Sequence, residues 1–299
     1  MKIPRVLFAG RTTVDLLYEL DRLPEEDTKV FAQAFRSAPG GPACNAAITC
    51  ALMGGDATLL SAVGGGPWSM VVRGSLERHG IRLIDLAEGT AYETPLTTVL
   101  IGQDRGTRTI VNPPVPAAPL PVLEARWCAD WGAAPAVVLT AGFHLRETLP
   151  LLSACRGAGA AICLDGGSWK PHEDELTPLL DVAICSEKFA PPGAKANPET
   201  TLEWFASRGV NRVAVTCGAR PILGLDHGRR FEIAIEKVEA RDTNGAGDVL
   251  HGAFCYEFAR GAEFETALRA ASKVATRSCA GPGIACWSAD AEASRSNTD

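Results

Sequence analysis

No two of the ten cysteines lie within three residues of one another. The chain therefore has no Cys-x-x-Cys pair of the kind that holds structural zinc or exchanges disulfides. Most of these cysteines stand in apolar runs such as Ala161-Ile162-Cys163-Leu164, where a free thiol behaves as a small hydrophobe. A reduced protein without structural zinc is the expectation. The five histidines show no His-x-x-x-His spacing, which favours packing or surface roles over metal ligation. Basic charge is also short: 29 Lys and Arg against 35 Asp and Glu leave a net charge of -6, and no nucleic-acid footprint. No apolar run approaches the roughly 18 residues of a membrane span. The opening MKIPRVLFAG is too short in its apolar part for a signal peptide, so a cytoplasmic location is expected. A Gly-x-Gly-x-x-Gly turn is missing after this first strand, which argues against a dinucleotide-dependent oxidoreductase. No linker, repeat or low-complexity block divides residues 1–299, which are read as one domain; the small, polar end at 288–299 is expected to fray.

What the sequence does hold centres on Arg241-Asp242-Thr243-Asn244-Gly245-Ala246-Gly247-Asp248 and the run that follows. The first part is too small and polar for regular structure. From Asp248 onward Val249, Leu250, Ala253, Phe254 and Phe258 recur at helical spacing, with Gly261 as a stop. A Gly-rich turn thus feeds a helix N-terminus, whose unpaired N–H groups and positive dipole end suit a phosphate. Asp248 in the first turn would stand beside that anion, placed to take a proton from an attacking hydroxyl. The dipole should lower its pKa and keep it ionised. A tight turn with a favourable first-turn charge is the plainer reading of the same residues.

Elsewhere the pattern is α/β. Residues 5–9 read as a buried strand, and Asp15 follows it in a loop at the strand's carboxyl end, where ligands of such sheets gather. Residues 14–20 and 29–36 read as exposed strands joined by the acidic Pro24-Glu25-Glu26-Asp27. Residues 37–45 form a second Gly-rich loop, which enters a small-residue helix at 46–53. A strand at 57–62 and a helix at 68–79 precede a hairpin of 94–102 and 107–111 around a polar turn. From residue 137, strands at 137–141, 161–164, 182–185 and 212–216 alternate with helices near 145–156, 173–180 and 199–208. Such alternation implies right-handed crossovers and a parallel sheet. Asp165, after one of these strands, fits a ligand contact and a plain strand-end turn equally well.

The segment Asp242–Asp248, together with Gly40, Gly41, Asn45 and Ala46 of a GGxxxNxA pattern some two hundred residues earlier, resembles the ribokinase-like (PfkB) carbohydrate kinases. The similarity runs from about residue 6 to 283. It implies a three-layer α/β/α core with a mostly parallel sheet, a small β-sheet lid from about 14–36 and 94–111, and a homodimer joined through the lids. It implies ATP-dependent phosphorylation of a sugar hydroxyl, with Gly245, Ala246 and Gly247 as the anion hole and Asp248 as the base. Asp15, Asp27, Lys29, Gly40, Gly41, Asn45 and Asn112 are assigned to the sugar on the same ground. Ser186, Thr216, Gly218, Gly281 and Gly283 fall to the nucleotide. The cofactors implied are ATP and Mg2+, with a monovalent cation such as K+ near Asp242 and Asn244.

The chain departs from the family at Ser186-Glu187-Lys188-Phe189, where many members carry Asn-x-x-Glu, and at Gly64-Gly65-Gly66, where an acidic residue is usual. For the substrate, Pro24–Lys29 and Gly106–Ile110 resemble ketohexokinases. Val111-Asn112-Pro113 and Asp248–Ala253 are more similar to bacterial sulfofructose kinases, in which a Lys, an Asn and an Arg grip the sulfonate. Lys29 and Asn112 match the first two, and Phe143 falls where the Arg is expected. The expectation is a ketohexose, with an anionic ketose as the alternative; a nucleoside kinase and a non-catalytic sugar-binding protein are the remaining readings.

Overall fold

The computed structural model describes residues 3–104, 107–114, 120–123 and 134–288. Its main sheet begins with β1 (Arg5–Ala9), whose apolar run is buried on both faces as a central parallel strand requires. It continues with β4 (Asp56–Ser61) and β5 (Arg82–Asp85) on one side of β1. On the other side lie β8 (Val137–Thr140), β9 (Ala161–Gly166), β10 (Val182–Ser186) and β11 (Arg212–Cys217). The hairpin β12 (Arg220–Asp226) and β13 (Arg229–Ile233) completes nine strands in the order β13-β12-β11-β10-β9-β8-β1-β4-β5, in which β12 alone runs against the others.

Helices cover both faces. α1 (Pro42–Leu52), α2 (Ser69–Arg78), α6 (Ala246–Ala259) and α7 (Phe264–Ser278) pack on one core with Phe8, Leu59, Phe254 and Phe264. α3 (Leu145–Gly157), the short α4 (Glu173–Leu176) and α5 (Pro198–Ala206) pack on the other with Leu7, Leu151, Phe189 and Phe205. The result is a three-layer α/β/α architecture around a mostly parallel sheet, as the resemblance implies.

A second sheet of four strands, in the order β3-β2-β6-β7, rises from the carboxyl ends of β1 and β5. It comprises β2 (Thr13–Leu20), β3 (Ala34–Gly40), β6 (Leu96–Gly102) and β7 (Thr107–Val111). Only Leu17, Val99 and Ile101 make a buried core there.

The structure moves several sequence-based boundaries. The strand expected over 29–36 lies at Ala34–Gly40, because β3 pairs with β2 from Glu19↔Ala34 to Thr13↔Gly40 and so runs into the glycines that read as a loop. The helix expected from residue 46 starts at Pro42, whose fixed φ suits a first helical position. The helix expected over 173–180 is a single turn followed by a 3-10 turn containing Pro178. The polar turn around 105–106 and the chain end at 289–299, where fraying was expected, lie outside the described residues. Most of the cysteines among the described residues are buried.

Candidate active site

Strand order reverses between β1 and β8, the position where open α/β sheets leave a crevice beyond the strands' carboxyl ends. A pocket of about 310 Å³ opens there. Its floor is Arg11 after β1, Thr13 at the start of β2, Ala141 and Phe143 after β8, Asp165 near the end of β9, and Gly167, Ser168 and Lys170 beyond it; Thr97 and Ile110 of the small sheet and Asn112 just past β7 overhang it. A smaller hollow of about 180 Å³ at the opposite strand ends is spanned by the exposed Arg5–Asp56 ion pair and carries no comparable group.

Two helix starts converge on this pocket. α1 has Gly41 as its N-cap at φ 90°, where a Cβ would run into the Arg11 carbonyl, so only glycine allows the approach. α6 starts behind Gly245, at φ 74°, with a Cβ there directed into Ile284. The first-turn amides of Ala246, Gly247 and Asp248 precede the helix's own hydrogen-bond ladder, and Ala246 N–H makes only a long 3.4 Å bond to Thr243 O in the preceding loop. A Cβ on Gly247 would meet no protein atom within 4 Å. The backbone is bare at the point where an anion would sit.

Asp248 projects into the pocket and accepts a 2.7 Å hydrogen bond from Asn45 Nδ2. Its pKa is pushed up to about 7, first by burial and then by the Asp165 carboxylate, while the Asn45 bond and His251 hold it down. This corrects the sequence-based expectation of a lowered value. A helix dipole is worth about 0.3–1 kcal/mol at a terminus, less than one pKa unit, and desolvation in this crevice outweighs it. His251, one turn on, lies under the anion loop with Nδ1 2.8 Å from Gly247 O and Nε2 3.1 Å from Ile184 O.

Asp15 lies opposite, buried, with Thr13 Oγ1 donating to it at 2.8 Å. Burial raises its pKa, and hydrogen bonds from Thr13 and Asn244 together with the Arg11 charge counter part of the rise. Gly40 is packed against this carboxylate. Asn112 accepts from Thr97 Oγ1 at 2.9 Å and lines the pocket, as do Gly41, Asn45 and Asn244. Asp27 and Lys29 are not brought here. Both are exposed in the loop between β2 and β3, with Lys29 Nζ 5.6 Å from the Phe31 ring. The register that starts β3 at Ala34 leaves their segment outside the sheet, so the sequence-based placement of these two residues at the sugar is corrected.

The residues assigned to the nucleotide do not line this pocket. Ser186 ends β10 and stands beside Thr216 in the sheet register, and Gly218 turns between β11 and β12. Gly283 N–H donates to Asp242 Oδ2 at 3.0 Å, and Gly281 precedes it in the same loop. Phe189, where the family's acidic residue is usual, is fully buried against Trp169 and Phe205, and Glu187 is paired with Arg220. Among the described residues no cluster of three or more His, Cys, Asp or Glu could hold a metal ion. Asp242 is also committed: Oδ1 accepts from Asn244 N–H at 2.9 Å, and Oδ2 accepts from Gly283 and forms a 3.1 Å ion pair with Arg36 of the small sheet. That does not fit a free cation ligand.

Sequence reasoning missed Arg11 and Lys170 altogether and left Asp165 open. A basic residue directly after the first strand, and another five residues beyond Asp165, were the available signals.

Residues 4–288 match the family described as pfkB family carbohydrate kinase. Ribokinase of Bacillus subtilis is 25% identical over 274 residues, covering 90% of each chain, and mouse ketohexokinase is 20% identical over 299 residues, covering 93% of this chain and 97% of that one. Among solved structures, one described as a putative ribokinase from Agrobacterium tumefaciens superposes with a TM-score of 0.81 at 23% identity, covering 99% of both chains. Ribokinase of Arabidopsis thaliana, complexed with ribose and ATP, gives 0.77 at 20% identity, covering 95% of this chain and 94% of that one. The chain belongs to the pfkB family of carbohydrate kinases and is an ATP-dependent kinase whose acceptor is a sugar or a nucleoside.

Proposed function

We propose that this protein transfers the γ-phosphoryl group of ATP to a hydroxyl of a small sugar, a ketohexose in our reading, bound in the pocket between β1, β8, β9 and the small sheet. The observation that carries it is the Asp248 carboxylate in the pocket, one helical turn from the bare Gly245–Gly247 backbone. Asp15, Asn112 and Asn244 supply acceptors and donors for the remaining hydroxyls. Asp248 takes the proton of the attacking hydroxyl, a task suited to a base whose pKa lies near neutrality. The α6 amides stabilise the charge on the transferred group, and the reaction needs little more from the protein than positioning and electrostatics. Mg2+, carried by ATP, neutralises phosphate charge.

The small sheet acts as a lid in this reading. Arg36 and Arg108 tie it to Asp242 and Thr243 beside the anion loop, which keeps water from the transfer. We assign Arg36 the role of the monovalent cation near Asp242. The lids also join two protomers, since Phe31 and Phe35 are 86% and 57% exposed and leave an apolar face uncovered. An ATP-consuming reaction of this kind belongs in the cytoplasm.

The test is ADP release coupled to a panel of ketohexoses, pentoses and nucleosides. Turnover strongest on a ketohexose supports the assignment. Turnover on a pentose or nucleoside instead would replace the substrate, and ADP release with none of them would overturn the kinase reading.

A further inference from the structure

The acceptor pocket contains a guanidinium two of whose three nitrogens are unpartnered among the described residues. Arg11 is half-buried in the loop after β1, and its Nε and Nη2 are buried without a hydrogen-bond partner among the described residues. Its charge favours the ionised form of Asp15, but no hydrogen bond or ion pair joins the two side chains among the described residues. Its carbon Cζ lies 6.0 Å from the centre of the Phe143 ring, and Lys170 Nζ lies 4.9 Å from the same ring. Lys170 is only 12% exposed; Nζ donates to Ser168 O at 2.7 Å and stands 3.8 Å from Glu173 Oε1. That carboxylate is too far for a firm hydrogen bond. Burial pushes its pKa up to about 7, so near neutrality it offsets only part of the Lys170 charge. Buried donors without partners cost free energy, and a buried charge costs more, unless a ligand completes them. A planar guanidinium beside an ammonium suits a phosphate, sulfonate or carboxylate group.

We propose that Arg11 and Lys170, gathered on Phe143, form an anion subsite in the acceptor pocket, and that the sugar phosphorylated here carries an anionic group seated between them. The inference rests on the acceptor-pocket reading above and names the class of sugar that the pocket takes. Asp15, Asn112 and Asn244 hold the hydroxyls, and the two cations select the charged end. The preference for an anionic sugar thus comes from this pair, not from Lys29.

The experiment compares kcat/KM for fructose with that for 6-deoxy-6-sulfofructose, fructose 6-phosphate and 2-keto-3-deoxygluconate, in wild type, Arg11→Gln and Lys170→Met. At least one sugar anion should exceed fructose by about 100-fold in wild type, and each substitution should lower that ratio by about 10- to 100-fold. Circular dichroism checks folding, and either variant alone decides the matter if the other fails to fold. Equal losses on charged and neutral sugars, a change confined to the KM for ATP, or no preference in wild type would each overturn the subsite. Calorimetric titration of the same sugar anions without ATP separates this proposal from the kinase reading. A sugar anion that binds wild type but not Arg11→Gln, with no ADP formed from any sugar, would retain the subsite and sink the kinase assignment. Phosphorylation of fructose with no sugar anion bound would do the reverse.

Discussion

Asp248 offers a prediction whose sign and size both follow from its surroundings. A general base works ionised, so kcat/KM should fall as pH drops below its pKa, which burial and Asp165 place at about 7 rather than the ordinary 3.8. At about pH 6, one unit below, roughly a tenth of the protein would hold Asp248 ionised, and the rate should be down about tenfold from its plateau. A carboxylate of ordinary pKa would give a flat profile over the same range. Two substitutions should move the limb in opposite directions. Asp165→Asn removes the second-largest cause of the rise and should shift the limb to lower pH. Asn45→Ala removes the 2.7 Å hydrogen bond to the ionised form and should shift it upward. The assay is ADP release at saturating MgATP and subsaturating sugar, which reports on groups of the enzyme before the sugar binds. A profile flat to about pH 5, or two variants shifting the same way, would dismiss Asp248 as a base of raised pKa.

Other consequences concern the anion loop, the cation and the assembly. Gly247→Val should lower kcat by about 10²- to 10³-fold with an unchanged melting temperature, because the new side chain meets only the transferred phosphoryl group; normal turnover in this variant would dismiss the anion hole. Wild-type activity should respond little to K+, whereas Arg36→Ala, which frees an Asp242 oxygen, should become K+-stimulated; equal stimulation of both proteins would remove the role given to Arg36. Light scattering should report a dimer that Phe31→Ser with Phe35→Ser dissociates, and a monomeric wild type at micromolar concentration would dismiss joining through the lids.

The catalytic loop was legible because its function is local. Gly245, Gly247 and Asp248 sit within four residues, and a Gly-rich turn before an apolar helix announces an anion site by itself. Arg11 and Lys170 were not legible, since they lie on loops after β1 and β9 and meet only because β8 brings those strands' ends together. Lys29 was misplaced for a related reason: a two-residue pattern of alternation cannot say where β3 starts, whereas pairing with β2 fixes it at Ala34. The β12–β13 hairpin went unread although its turn is signalled by His227 and Gly228, both with positive φ, as a two-residue hairpin turn demands. The pKa of Asp248 needed three dimensions. Its helix position was readable, but Asp165 and the burying walls are contributed by distant segments.

In our reading Asp248 delivers a sugar hydroxyl to the γ-phosphorus of ATP at the α6 start. Phosphorus NMR of the protein with MgATP and its best sugar tests this directly. The γ-phosphate resonance should convert into that of a sugar phosphate ester, with kcat lowered by about 10²- to 10⁴-fold in a folded Asp248→Asn variant. Release of inorganic phosphate independent of any sugar, or wild-type rates of ester formation in Asp248→Asn, would contradict it.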